Sequence, residues 1–292
     1  MNNLALALGT FDGLHKGHKQ VLNEVKKLKN ASLTPAALIF DKHPQEVLSG
    51  KGPSCLLTAE ERINLLEEDG VLPVRVSFEQ ICGYSPEEFV LFLKEMGAKA
   101  VACGENFHFG KNSSGDAKIL FELCQKYGII FRVAKSQYFG GELISSTRIR
   151  KALQNGEIEK AAEMLGRPFS YEFPVRHGKG KGKAWGFPTA NQSIPENFIH
   201  LRYGVYVSRV TVQGKMFPAV TNFGVRPTAH ENGETVSETF VLGYDGDLYG
   251  ETLRVELISF IRDERKFESI DALSEQIKSD SKKAVEIFGC SK

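Results

Sequence analysis

Leu4-Ala5-Leu6-Ala7-Leu8-Gly9-Thr10-Phe11-Asp12-Gly13-Leu14-His15-Lys16-Gly17-His18 decides the fold of the first half of the chain. The apolar run Leu4–Leu8 ends at Gly9, as a buried strand does. Lys16–Leu28 then carries Val21, Leu22, Val25 and Leu28 at helical spacing. A strand feeding a glycine-bearing loop and a helix is a place where parallel sheets bind ligands, and backbone N–H groups at a helix start favour anions. Gly13 and Gly17 let the backbone approach a ligand closely. His15 and His18, three residues apart, point to one side. Two imidazoles there suit a nucleoside triphosphate, stabilising charge on its α-phosphate and on departing pyrophosphate. The competing reading is a plain glycine turn with two exposed histidines; the flanking strand and helix favour the phosphate site.

Working outward, the same texture repeats. Pro35–Phe40 reads as a second buried strand, and Lys99–Cys103 as a short strand entering Gly104. Thr58 with Glu61 forms a capping box for a helix through Leu66, and Ser85-Pro86-Glu87-Glu88 does the same. Alternating strand and helix implies a parallel α/β sheet covered on both faces. A helix over 148–154 ends at Gly156; a second, Glu157–Leu165, stops at Gly166 with Pro168 beyond. The expected organisation is a domain over 1–147, a helical linker over 148–167 and a second domain over 168–292. From Tyr171 to Phe260 the chain is rich in Val, Thr, Phe and Tyr, with regular glycine turns, the texture of a small β-barrel. A last helix from Ser269 presents Ile270, Leu273 and Ile277 on one face.

The 292 residues accommodate two domains, and 41% hydrophobic residues is ordinary for a packed core. A net charge of +1 supplies no field toward nucleic acid or an anionic membrane, so phosphate binding must come from local clusters. The five cysteines form no CxxC pair, which argues for a reducing cytoplasm over a disulfide framework or zinc knuckle. No apolar stretch approaches membrane length. The expectation is a cytoplasmic protein with no nucleic-acid or membrane partner, self-associating at most weakly or transiently.

Four further segments carry candidate chemistry. Ser145-Ser146-Thr147-Arg148-Ile149-Arg150 puts hydroxyls and two arginines at a helix start, a phosphate-binding arrangement or a simple cap. Gly104-Glu105-Asn106-Phe107-His108-Phe109-Gly110 joins aromatics to polar groups after a strand, for stacking on a flat ring or for core packing. His177-Gly178-Lys179-Gly180-Lys181-Gly182-Lys183 is either a phosphate cradle or a solvated basic loop. It runs into Trp185-Gly186-Phe187-Pro188-Thr189-Ala190-Asn191, where Thr189 and Asn191, two apart in an extended segment, offer hard oxygens to Mg²⁺. A kinase acting on a hydroxyl also needs a nearby carboxylate, and Glu238 in Val236-Ser237-Glu238-Thr239-Phe240 is the candidate.

These motifs in this order resemble the bacterial bifunctional riboflavin kinase/FAD synthetase family, over nearly the whole chain. GTFDGLHKGH, Phe40-Asp41-Lys42-His43-Pro44, GENFHFG and SSTRIR resemble its FMN adenylyltransferase half. GFPTAN, Asn222-Phe223-Gly224-Val225-Arg226-Pro227-Thr228, Asp245–Gly250 and Arg262-Asp263-Glu264-Arg265-Lys266-Phe267 resemble its riboflavin kinase half. The resemblance implies a Rossmann-like nucleotidyltransferase domain followed by a six-stranded Greek-key barrel with a C-terminal helix. It implies that FMN and ATP give FAD and pyrophosphate in the first, and that riboflavin and ATP give FMN in the second, with Mg²⁺. Carried over, His15, His18, Gly9, Phe11, Gly17, Ser146, Thr147 and Arg150 handle ATP in the first half. Asn106 stands by the reacting phosphates, and Asn106, Phe107 and His108 on the flavin side. In the second half Gly178, Gly180, Lys183 and Pro188 handle ATP, Thr189 and Asn191 hold magnesium, and Glu238 is the base. Arg226, Arg262 and Phe267 contact flavin. The departures are His108, and in the kinase half Phe240, Gly243 and Lys183, where histidine, aspartate and arginine are usual. Two alternatives follow: a live adenylyltransferase with the barrel as a binding module, or a non-catalytic flavin-binding regulator.

Overall fold

The computed structural model describes residues 3–178, 182, 185–226 and 233–290, and the chain divides into two compact units, Met1–Ser146 and Thr147–Lys292. Gly180 and Lys183, expected at ATP, lie outside the described residues.

In the first unit the strands are β1 (Leu4–Leu8), β2 (Thr34–Phe40), β3 (Leu72–Val76), β4 (Ala98–Gly104) and β7 (Ile130–Ala134), paired in parallel in the order β3-β2-β1-β4-β7. Helices α1 (Lys16–Lys26), α2 (Pro44–Ser49), α3 (Ala59–Glu68), α4 (Phe78–Ile81), α5 (Pro86–Glu95) and α6 (Ala117–Lys126) connect them. Two short ladders complete the unit: β5 (His108–Phe109) with β6 (Gly115–Asp116), and β8 (Tyr138–Phe139) with β9 (Glu142–Leu143). Pleating sends Leu4, Leu6 and Leu8 to one face, against Phe89, Val90 and Leu93 of α5. Ala5 and Ala7 go to the other face, against Val21, Leu22 and Val25 of α1. β1 is buried on both sides, which is why its sequence is a continuous apolar run. Strands β3 and β7 lack that signal: as edge strands they expose Arg75, Ile130 and Val133. Connections run from β1 to β2 and β3 on one side, then return to β4 and β7 on the other. The loop after β1 therefore sits at the switch point of the sheet.

The second unit starts one residue into α7 (Ser146–Gln154), which α8 (Ile158–Leu165) follows. Gly166 caps α8 in the left-handed conformation, φ 75°. The helices of the expected 148–167 linker fall in the same compact unit as the barrel. Their apolar sides are buried at Ile149, Leu153, Ile158, Met164 and Leu165. Six antiparallel strands, β10 (Phe169–Arg176), β11 (Thr189–Ser193), β12 (Gly204–Val212), β13 (Lys215–Arg226), β14 (Glu234–Val241) and β15 (Thr252–Arg262), close in the order β10-β11-β14-β13-β12-β15. The hairpin series β12-β13-β14 with β15 returning beside β12 is a Greek key. The interior is filled: Tyr171 bonds Ser237 at 2.6 Å, Ser208 bonds Thr221 at 2.7 Å, and Thr221 bonds Thr239 at 3.0 Å. The opposite face of β12 and β13 is outside. There Val205, Val207 and Val220 pack against Ala284 of the terminal helix α9 (Ile270–Cys290).

Candidate active sites

In the first unit the loop from Gly9 to His15 is held in an unusual backbone shape. Phe11 (φ 51°), Gly13 (φ 81°) and Leu14 (φ 43°) all take positive φ, conformations that persist only when the surroundings impose them. The clamps are visible. Buried Asp12 accepts a hydrogen bond from the Leu56 N–H at 3.0 Å. Ser146 Oγ, at the end of the first unit, donates to the Asp12 carbonyl at 2.8 Å. Arg62, at the carboxyl end of β2, donates to the Phe40 carbonyl at 2.8 Å and to the Thr10 carbonyl at 3.4 Å.

His15 caps α1: its Nδ1 accepts from the His18 N–H at 3.2 Å. In the neutral ring the proton is therefore on Nε2. The His15 and His18 rings stack with centroids 3.7 Å apart, and Phe11 lies 5.3 Å from His18. Gly17 makes the stack possible, since a Cβ there would lie 3.1 Å from the His15 ring. Burial, and next the neighbouring His15, hold the His18 imidazole well below its ordinary range. It is neutral at pH 7, and its Nδ1 is buried with no hydrogen-bond partner among the described residues. The pair thus sets ring nitrogens beside a helix N-terminus, a donor set suited to phosphate oxygens.

The loop after β4 borders the same sheet edge. Asn106 and His108 are exposed there, while Phe107 stacks on Phe109 at 5.7 Å and joins the core. The flanking Gly9 packs on the Phe11 ring. Thr147 and Arg150 stand in the first turns of α7, in the second unit; their assignment to ATP rests on the resemblance.

The second site lies on the outer face of the barrel, in a cavity of 790 Å³, within the range of small-molecule pockets. Pairing brings its chemistry together: Asn191 of β11 stands opposite Glu238 of β14, and Glu238 opposite Asn222 of β13. Two residues along, Thr189 stands opposite Phe240, whose ring meets Phe187 edge-on at 5.5 Å. Pro188, Thr189, Asn191, Glu238 and Phe240 all line the cavity. Gly178 passes so close to Asn191 that a Cβ would lie 2.7 Å from its Oδ1. Arg226 was expected on the flavin. In the structure its Nη2 donates to Asn191 Oδ1 at 2.6 Å and to Glu238 Oε1 at 3.1 Å. Arg262 also lines the cavity and is held by buried Asp280 of α9, with Nε 3.0 Å and Nη2 2.8 Å from Oδ2. Phe267 lies under Arg262 and Arg265, 5.7 and 4.8 Å from the ring centre. Sequence reasoning missed Glu264, whose Oε1 accepts from Asn222 Nδ2 at 2.9 Å at the cavity. It also missed Asp280. Its pairing with Arg262 spans 18 residues and two elements and leaves no sequence signal.

The oxygens that Thr189 and Asn191 offer in the second site are of the kind magnesium takes. Among the described residues no cluster of three acidic, histidine or cysteine side chains stands ready for a metal. A hard cation brought in on nucleotide phosphates needs only one or two protein oxygens. Asn191 Oδ1 already accepts a cationic donor.

A doubly wound domain with an imidazole-lined helix start, joined to a Greek-key barrel with an oxygen-and-carboxylate cavity, defines a two-domain transferase acting on phosphate compounds. Two family models match the two halves of the chain: FAD synthetase residues 1–148 and riboflavin kinase residues 165–288. A bifunctional riboflavin kinase/FMN adenylyltransferase of Bacillus subtilis is 34% identical over 97% of this chain and 92% of its own length. The protein of that description from Escherichia coli K12 is 34% identical over 98% and 93%. A crystal structure described as a macrolide-efflux protein from Streptococcus pneumoniae matches with a TM-score of 0.88 and 29% identity, over 97% of this chain and 94% of that one. The efflux description belongs to that protein; among the described residues here, no helix is long and apolar enough to cross a membrane. The chain belongs to the bifunctional riboflavin kinase/FMN adenylyltransferase family.

Proposed function

We propose that the chain makes FMN from riboflavin in its barrel unit and FAD from FMN in its first unit, with ATP as donor in both. The observation that carries the kinase assignment is the cross-strand pairing of Asn191 with Glu238 on one cavity face. It sets a metal-type oxygen beside a carboxylate, the two groups that phosphoryl transfer to a hydroxyl requires. Glu238 takes the proton of the ribityl hydroxyl as that oxygen bonds to the γ-phosphorus and the bond to ADP breaks. Thr189 and Asn191 would hold magnesium, which would supply charge neutralisation for the nucleotide. Arg262 and Phe267 face the flavin.

In the first unit an FMN phosphate oxygen attacks the α-phosphorus of ATP and pyrophosphate leaves, so no side-chain nucleophile is required. His15 and His18 donate ring N–H groups to the phosphates, aided by the N-terminus of α1, and Asn106 stands by the acceptor. Neutral His18 suits this role: it keeps one ring N–H with which to donate to a phosphate oxygen. The free thiols Cys55, Cys82, Cys103 and Cys124 fit a reducing compartment, and the cytoplasm is the assigned location. Chromatography of products from riboflavin or FMN with ATP and Mg²⁺ tests both assignments. FMN must appear from the first, and FAD with pyrophosphate from the second.

A further inference from the structure

The Asn191 amide is oriented by bonds on both sides. Its Oδ1 accepts from Arg226, and its Nδ2 donates to the Thr189 carbonyl at 3.0 Å and to Thr189 Oγ1 at 3.3 Å. An N–H group therefore stands between the two oxygens assigned to magnesium, and they do not face a common point. For both to serve one cation the amide must turn, and turning breaks the bond from Arg226. Gly178 packs directly on this amide and confines how it turns. Arg226, meanwhile, puts a positive charge between an amide oxygen and a carboxylate, the surroundings a divalent cation would seek. A guanidinium has donors and no acceptor, so it satisfies both groups as a cation would.

We propose that Arg226 is a built-in placeholder for the divalent cation. It occupies Asn191 Oδ1 and neutralises Glu238, and it must release Asn191 before the kinase cavity is competent. This couples the readiness of the base to the arrival of the metal-bearing nucleotide. The proposal rests on the assignment of Thr189, Asn191 and Glu238 to the kinase site.

The test uses the full chain with a non-hydrolysable ATP analogue, titrated with Mn²⁺ as a hard-cation probe. The readout is quenching of Trp185, the single tryptophan, which lines this cavity; the signal therefore reports the barrel site. Arg226→Gln should lower the half-quenching Mn²⁺ concentration roughly tenfold, the release of one charge-assisted hydrogen bond. Arg226→Lys keeps the charge but loses the planar fork, and should fall between parent and Arg226→Gln. Adding Asn191→Ala to Arg226→Gln should abolish the gain. Equal half-quenching concentrations in parent and Arg226→Gln would overturn the placeholder while leaving the metal site standing. Quenching that Asn191→Ala and Thr189→Ala leave unchanged would overturn the metal assignment itself.

Discussion

Glu238→Gln separates chemistry from structure most cleanly. The amide matches the carboxylate in size but accepts no proton. Loss of a general base costs about two to four orders of magnitude in rate, or about 3–5 kcal/mol of barrier at roughly 1.4 kcal/mol per decade. The competing effect is on the fold. The carboxylate lies 3.1 Å from Arg226 Nη2, and its side chain is 39% exposed. A pair so open to solvent contributes about 1 kcal/mol at most, and the amide oxygen still accepts from Arg226. The barrier term wins by several kcal/mol, so the variant should stay folded, with FMN formation falling at least about a hundredfold. On the same preparation, supplied FMN should become FAD at the parent rate. Near-parent riboflavin phosphorylation would remove Glu238 from the mechanism; loss of both activities in a folded protein would refute two independent sites.

Other outcomes follow from particular contacts. Gly17→Ala presses a Cβ against the His15 ring at 3.1 Å, while alanine within a helix adds roughly 0.5–1 kcal/mol of stability. FAD formation should drop without loss of melting temperature, and full activity would show that the His15 position is unimportant. His18 has a depressed pKa in the folded state, so its contribution to stability is full above the unfolded value near 6.5 and is lost as pH falls toward the folded one. Between about pH 7.5 and about pH 5.5 the first unit of the parent should lose more melting temperature than that of His18→Asn; equal losses would contradict the neutral, buried imidazole. A fragment of residues 147–292 should fold alone. One starting at Gly166 lacks the buried Ile158, Met164 and Leu165 of α8, and should be several kcal/mol less stable in denaturant titration. Equal midpoints would return 148–167 to the role of a linker.

Much of the fold is readable in the sequence where one local rule governs. Leu4–Leu8 reads as a strand because both faces are buried. Thr58 with Glu61 and Ser85 with Glu88 read as helix starts, and both capping boxes are present. The stacking of His15 on His18 follows from helical spacing. Edge strands β3 and β7 escape, since exposure breaks their apolar pattern. The second site escapes in part for a different reason. Thr189 and Asn191 share a face by alternation, but Arg226 reaches Asn191 across 35 residues. Only the register of β11, β14 and β13 reveals that the guanidinium lies on Asn191 Oδ1 and Glu238, and register is set by the whole barrel. The grouping of α7 and α8 with the barrel is likewise a matter of packing, which a helix-stop signal does not disclose.

The most direct test of two ATP-using sites in one chain is a product time course from riboflavin, ATP and Mg²⁺, run on the parent and on His15→Ala. The parent should yield FMN first and then FAD with pyrophosphate. His15→Ala should phosphorylate riboflavin at the parent rate and stop at FMN. Failure of the parent to form FMN, or a folded His15→Ala protein that has lost both reactions, would contradict it.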